Sequence, residues 1–148
     1  MKSYQNITAV LLLLCTLLSS TCKDEQDLTG SEKAKLNTAF KLAMSEKVVF
    51  TEANLMLELN EINDSRCPVN VQCIWAGNAK AKLLVTGAGS EKISLELCLG
   101  QCDSNFKEID RVSFKVDNKS YSLVLNKVDP YPGTGNAKKT AVLMLQKN

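Results

Sequence analysis

The fold of this chain is decided by LMLELNEINDSRCPVNVQCIWAGNAKAKLLV, residues 55–85. The stretch begins and ends with a run in which every second residue is apolar. These residues are Leu55, Leu57 and Leu59 in the first run and Leu83 and Val85 in the second. Alternation with a period of two is typical of half-buried β-strands. The residues between the two runs therefore predict a long corner, and the second strand is expected to leave directly from the second half-cystine, as CIWAGNAKAKLLV.

Five further runs alternate in the same way, and turn-forming residues separate them. They are FKLAM (40–44), KISLELCL (92–99), RVSFKV (111–116), YSLVL (121–125) and TAVLMLQ (140–146). Asp117-Asn118, between two of these runs, predicts a tight hairpin. We expect an all-β chain: an antiparallel β-sandwich of about seven or eight strands, Ig-like or jelly-roll-like, with disulfide-braced loops. Only SEKAKLNTAFKLA (31–43) suggests a turn or two of helix.

The first residues have the order of a secretory signal. One basic residue, Lys2, precedes an apolar run from Ile7 to Leu18, and small residues follow. The apolar run is shorter than the roughly 20 residues that a membrane-spanning helix needs. LSST (18–21), followed by Cys22, resembles the lipobox of bacterial lipoproteins, which implies acylation of the Cys22 sulfur and a new N-terminus there. Ordinary signal cleavage near the same position is the alternative.

The residues after Cys22 bear on location. KDE (23–25) resembles the export tag that sends Bacteroidetes lipoproteins to the outer face of the outer membrane. The resemblance implies an extracytoplasmic protein, anchored to the outer membrane through the lipid on Cys22. Residues 1–21 are predicted to be a signal peptide, residues 22–35 a charged flexible tether, and residues 36–148 a single β-sandwich domain.

The composition argues against two classes of function. The chain has no histidine, which removes the commonest general base, the Ser-His and Cys-His nucleophile systems and the commonest metal ligand. Its formal net charge is only +2, and lysines and arginines are not clustered, so a nucleic-acid partner is not expected. No cofactor is predicted.

Four of the six cysteines lie in the expected domain: Cys67, Cys73, Cys98 and Cys102. Disulfides are the default in an exported chain. The pairs Cys67–Cys73 and Cys98–Cys102 are favoured because each brackets a short turn-like segment; the crossed pairings remain open. Loops of this size contribute about 2 to 2.5 kcal/mol each in a loop-closure estimate. A four-thiolate zinc site is the rival, but the Cys67–Cys73 spacing suits it poorly.

The candidates for recognition are Asp64, Arg66, Trp75 and Tyr131, and each has a structural alternative. Arg66 is expected to bond loop carbonyls or to clamp Asp64, and otherwise to offer a bidentate fork to a partner carboxylate. Trp75 is expected to pack on the core or on the disulfide, and otherwise to form an exposed aromatic platform. Tyr131 lies between two prolines, so it is either a pre-ordered binding residue or part of a plain covering loop.

The stretch DSRCPVNVQCIWAG (64–77) carries a resemblance as well. Its pattern, Asp-Ser-Arg-Cys-Pro-x-x-Val-x-Cys-x-Trp-Ala-Gly, is similar to one found in a group of small secreted or lipid-anchored bacterial proteins of unassigned function. The resemblance implies class and compartment, and it implies no activity.

An enzyme is not expected. Without histidine, carboxylate pairs are the remaining catalytic groups, Glu58 with Glu61 or Asp103 with Glu108, and both pairs fall at outward or loop positions. Loops on a rigid sandwich are a common recognition scaffold. The candidate loops are Asn63–Gln72, Gly100–Asn105 and Asp129–Asn136. The prediction is a binding module with a protein partner; an inhibitor or immunity-type protein against a secreted hydrolase, and a glycan-binding surface lipoprotein, are the alternatives.

Overall fold

The computed structural model describes residues 31–148, and these residues form an all-β structure without a helix. Its ten strands are β1 (Ser31–Lys33), β2 (Ala39–Ala43), β3 (Lys47–Phe50), β4 (Leu55–Asp64), β5 (Asn78–Thr86), β6 (Lys92–Cys102), β7 (Asn105–Lys107), β8 (Asp110–Val116), β9 (Lys119–Asp129) and β10 (Thr140–Lys147). The predicted Cys22 anchor, the signal peptide and most of the tether lie outside the described residues. Within residues 31–148 no helix is long and apolar enough to cross a membrane.

The strands form two sheets. Six lie in the order β1-β3-β4-β5-β6-β7, and four in the order β2-β10-β9-β8. All neighbouring strands are antiparallel except β1, which pairs with β3 in parallel. The predicted class, an all-β antiparallel β-sandwich, is confirmed, and the β1–β3 pair is an unpredicted parallel exception.

The connections between strands are consecutive around the sandwich. The chain passes from β2 to β3, β4, β5 and β6, crosses through β7 to β8, and continues through β9 to β10, which returns beside β2. Ig-like and jelly-roll sandwiches contain Greek-key connections instead. The order of the described strands therefore differs from that of both fold types, Ig-like and jelly-roll-like, that the sequence suggested.

Alternation in the sequence builds one core between the sheets. Side chains at every second position point inward, so apolar faces of the two sheets meet. The largest fully buried side chains are Phe50, Leu55, Leu57, Leu59, Leu83 and Leu97 from one sheet and Leu42, Tyr121, Leu123, Leu125, Leu143 and Leu145 from the other. The outer face of the larger sheet carries ion pairs, including Lys82 with Glu61 and Lys80 with Glu96.

The register shifts at one place that matters for the site. In the β4–β5 pair, Leu59 lies opposite Leu83 but Glu61 lies opposite Lys82, so Asn60 is an extra residue. Such a β-bulge reverses which positions face inward. As a result Asp64, which the unbroken alternation of β4 would place outside, lies opposite the buried Ala79 on the inward face.

Three sequence expectations need comment. The tether predicted to reach residue 35 ends earlier, because Ser31–Lys33 pair with β3. The suggested helical turns at 31–43 are wrong, because this segment contains β1 and β2. The hairpin at Asp117-Asn118 is confirmed: both residues have positive φ, 50° and 60°, as a type I′ turn requires, and the flanking residues pair directly.

Candidate functional site

The candidate site is built at the end of the sandwich where β4 and β9 finish and β5 and β10 begin. Two loops project there: residues 65–77, here called the stapled loop, and residues 130–139, here called the β9–β10 loop. Beside them lie the short strand β7 and the turns that flank it. These elements contain or adjoin all three loops predicted to be recognition loops, although Asn63, Asp64, Asp129 and Gly100–Cys102 belong to strands.

Both predicted disulfide pairings are confirmed. Cys67 and Cys73 close the stapled loop, with Cα atoms 5.9 Å apart. Cys98 and Cys102 are bonded within β6, where Gly100 has φ of +89° and bends the strand. This second segment is thus a bent strand end, whereas the sequence suggested a turn. Because the sulfurs are bonded to one another in pairs, these four residues do not form a thiolate zinc site, and residues 31–148 contain no cluster of metal-binding side chains.

Backbone hydrogen bonds fix the base of the stapled loop. The Ser65 amide donates to the Asn78 carbonyl at 2.7 Å, and the Cys67 amide donates to the Ala76 carbonyl at 2.9 Å. Gly77 has φ of +71°, and a Cβ there would lie 2.0 Å from the Ser65 carbonyl oxygen. Only glycine tolerates both the backbone angle and the close approach. The chain segments before Cys67 and after Cys73 are therefore both held in place at the base of the loop.

The carboxylate of Asp64 is the hub of the site. Arg66 donates from Nε to Asp64 Oδ1 and from Nη2 to Asp64 Oδ2, both at 2.8 Å, and Nη2 also donates to the Val128 carbonyl at 2.8 Å. Lys139 Nζ contacts Asp64 Oδ2 and the Pro130 carbonyl. The hub therefore ties the stapled loop to the end of β9 and to both ends of the β9–β10 loop.

A second contact holds the two loops together. The Val69 amide donates to the Pro132 carbonyl at 3.0 Å. The guanidinium of Arg66 lies 4.4 Å from the centroid of the Tyr131 ring, within cation–π range. The structural interpretation of Arg66 is thus confirmed, and its bidentate edge is occupied by Asp64. Tyr131 covers Arg66 and stays partly exposed, and its role in binding stays a prediction.

The prediction that Trp75 packs on the core or the disulfide is wrong. Trp75 is 77% exposed and its neighbour Ile74 is 95% exposed. The reason is that β5 begins at Asn78, five residues later than the half-cystine at which the sequence suggested a strand start. The Gly77 turn separates Trp75 from that strand, so the side chain is carried outward with the loop.

The stapled loop presents an uncharged surface. From Cys67 to Ala79 the chain contains no charged residue, and Val71 is exposed along with Ile74 and Trp75. These three residues are here called the apolar tip. Phe106 on β7 and Ile109 beyond it are also exposed at this end. Scattered single apolar residues are ordinary on a surface, whereas several exposed at one end make that end a candidate interaction site.

A shallow groove of about 310 Å³ runs beside the stapled loop. Its lining combines three basic residues (Arg66, Lys107 and Lys127) with one acid, Glu108; the others are Ala76, Gly77, Leu99, Gly100, Phe106, Asn126 and Tyr131. Of the carboxylates considered for catalysis, Glu58 pairs with Lys47 and Glu61 with Lys82 on the outer sheet face, while Glu108 lines the groove.

Ionisation of Asp64 follows from its surroundings. Burial acts to raise the pKa of this carboxyl, but the hydrogen bonds from Arg66 and Lys139 and the charge of Arg66 outweigh it and hold the pKa below the ordinary value of 3.8. Lys107 has the opposite shift: the hydrogen bond and charge of Asp110 raise its pKa.

The depressed pKa of Asp64 predicts a pH dependence of stability. A group whose pKa is lower in the folded state contributes stability that is present above its unfolded pKa and is lost as pH falls through the folded pKa. Denaturant unfolding measured from pH 7 to pH 2 should show Asp64→Asn losing less stability than the parent chain below pH 3.8. Parallel curves for the two proteins over this range would show that Asp64 is not held by its cations.

Comparison with protein-family models, with curated proteins and with solved structures finds no match to this chain. The function proposed below therefore depends on the site itself.

Proposed function

We propose that this chain is a non-enzymatic binding module that docks a protein partner on the apolar tip. The observation that carries the proposal is the exposure of Ile74 and Trp75, 95% and 77%, on a loop fixed by a disulfide, a glycine turn and the Asp64 hub. Folding alone does not require a loop that is fixed so firmly to expose two large apolar side chains to water. Such side chains are stabilised when a partner covers them.

The rigidity of the loop supports docking to a protein. Association costs free energy for every segment that must be ordered, and a pre-ordered loop avoids that cost. Tryptophan is enriched among the few residues that dominate binding energy, because it buries a large area with only two side-chain torsions to fix. Among residues 31–148 the large exposed aromatic side chains are few, Trp75, Phe106 and Tyr131, which favours a protein over a polysaccharide tracked by rows of aromatics.

The proposed location is outside the cytoplasm, with the chain held to the outer membrane by a lipid on Cys22. Two disulfides fit an oxidising compartment. Eight residues lie between Cys22 and Ser31, and the chain between these two residues can span at most about 30 Å when extended. A short link of this kind would keep the module near the membrane surface, where an envelope or surface protein is the available partner.

Affinity capture from the native host's envelope and medium tests the proposal, with the chain from Lys23 onward as bait. We expect a stoichiometric protein that Trp75→Ala loses, because truncating a central aromatic anchor costs about 2 kcal/mol or more, roughly 30-fold in Kd. Leu84→Ala is the matched control, since Leu84 lies on the outer face of β5, between Glu58 and Ser94 of the neighbouring strands.

Other outcomes of the capture would reject or change the proposed function. Retention of the partner by Trp75→Ala to the same extent as by Leu84→Ala would reject the apolar tip as the docking surface. Capture of polysaccharide alone would replace the proposal with a glycan-binding function. A captured secreted hydrolase whose activity falls on binding would make the module an inhibitor.

A further inference from the structure

The groove beside the apolar tip presents cations and hides their acidic partners. Lys107 pairs with Asp110 at 2.8 Å, and the side-chain exposures are 37% and 14%. Lys127 pairs with Asp129 at 2.9 Å, with exposures of 63% and 32%. In both pairs the lysine lines the groove and the more buried acid does not. The acids thus hold the lysines in place, and the two ammonium groups are more accessible to a ligand than the carboxylates that pair with them.

Arg66 repeats this arrangement at greater depth. Its side chain is only 9% exposed and that of Asp64 only 4%, yet Arg66 lines the groove. Asp64 and Val128 take up Nε and Nη2, and within residues 31–148 Nη1 has no protein acceptor. Every fully enclosed side-chain nitrogen and oxygen in that part of the chain has a partner, so Nη1 must reach solvent. A guanidinium nitrogen with free donors can bind a carboxylate oxygen.

Most of the remaining lining is apolar, and it includes the exposed rings of Phe106 and Tyr131 and the buried Leu99 of β6. Glu108 is the only acid in the lining, against the three cations. A carboxylate bound alone would leave the apolar side chains in contact with water. The groove suits an acidic group that is carried next to apolar side chains.

We propose that the groove binds the carboxylate of an Asp or Glu side chain in an apolar segment of the protein partner. This inference rests on the proposed function. Ala76, the residue after Trp75, is part of the groove wall, so a partner seated on the apolar tip must pass over the groove. The groove is open and does not enclose what it binds, because Phe106 and Lys127 in its lining remain largely exposed. A segment held by neighbouring contacts on the apolar tip does not need that enclosure.

Two matched peptides test the inference: acetyl-Gly-Leu-Glu-Leu-Gly-amide and the same peptide with Gln in place of Glu. They are titrated into the chain from Lys23 onward, and backbone amide shifts are followed by NMR. We expect the signals of Gly77, Gly100 and Lys107 to move with the Glu peptide. The Gln peptide should bind the parent chain up to about five-fold more weakly than the Glu peptide does. The Glu peptide should bind the double variant Lys107→Gln with Lys127→Gln more weakly by a similar factor, since two exposed charge contacts are lost.

The control is Lys80→Gln with Lys82→Gln, two lysines in comparable exposed pairs on the outer sheet face. It should bind the Glu peptide as the parent chain does. Equal binding of both peptides, an equal loss in both double variants, or shifts confined to other surfaces would overturn the inference. So would acetate binding as tightly as the Glu peptide, because the apolar walls would then contribute nothing.

The inference can fail while the proposed function stands. Suppose that a captured partner is lost with Trp75→Ala but retained by Lys107→Gln with Lys127→Gln. This result would support docking on the apolar tip and would reject carboxylate binding in the groove. A partner retained by both would reject the proposed function, whatever the peptides do.

Discussion

Asp64→Ala should lower the free energy of unfolding by about 3 kcal/mol at pH 7, because it leaves a buried guanidinium without its anion. The Arg66 side chain is 9% exposed and donates two paired hydrogen bonds to Asp64, while Lys139 contacts the same carboxylate. Removing the acid therefore leaves one buried and one half-buried cation facing each other. Denaturant unfolding followed by circular dichroism gives the value directly.

Glu96→Ala is the matched control for this loss. Glu96 pairs with Lys80 at 3.0 Å, but both side chains are more than 40% exposed, so the change should cost under about 1 kcal/mol. Similar losses in the two variants would contradict the assignment of Asp64 as the hub.

Gly77→Ala should be at least as damaging: it should lower the free energy of unfolding by about 3 kcal/mol or more, to the point of preventing folding. The new Cβ would lie 2.0 Å from the Ser65 carbonyl oxygen and 2.9 Å from the Arg66 Cα, and φ of +71° strains any residue with a side chain. Backbone atoms at the base of a pinned loop cannot yield as a flexible side chain can. Soluble yield and thermal unfolding are the measurements.

Gly89→Ala provides the comparison. Its nearest contact is 3.3 Å, to the end of the Asp117 side chain, so stability should change by no more than about 0.5 kcal/mol. If Gly77→Ala were as mild as Gly89→Ala, the chain would not turn beneath Trp75 as described.

The strands could be predicted because their pattern is local. Alternation marks all seven long strands, and the Asp117-Asn118 turn marks one hairpin. The short strands β1, β3 and β7 were not predicted, because three or four residues are too few to show a period of two. Strand order was beyond the sequence as well, since the pairing of β10 with β2 joins segments about 100 residues apart.

The buried hub was missed for a specific reason. The bulge at Asn60 reverses the phase of β4, and phase decides whether Asp64 faces the core. A signal was present: Asn60 and Glu61 are consecutive polar residues, and the apolar pattern resumes at Ile62 one position out of step. The partnership of Asp64 with Arg66 was foreseen, but its burial and the role of Lys139, 75 residues away, were not.

The motif in residues 64–77 proves mainly architectural. Asp64, Arg66, Cys67, Cys73 and Gly77 each hold the stapled loop by a contact described above. Trp75 makes no comparable contribution to the base of the loop and points into solvent. The expectation that it packs inward relied on its position near a half-cystine, which fixes the backbone and does not fix the direction of the side chain.

Fluorescence of the single tryptophan tests the central claim, that Trp75 is presented to a partner. The measurement is emission and acrylamide quenching of the chain from Lys23 onward, alone and with a saturating amount of the captured protein. We predict the long-wavelength, easily quenched emission of an indole in water for the free chain, and shorter-wavelength, protected emission in the complex. Protected emission in the free chain would show that Trp75 is buried, and quenching unchanged by the partner would show that it is not the docking residue; either result would contradict the account.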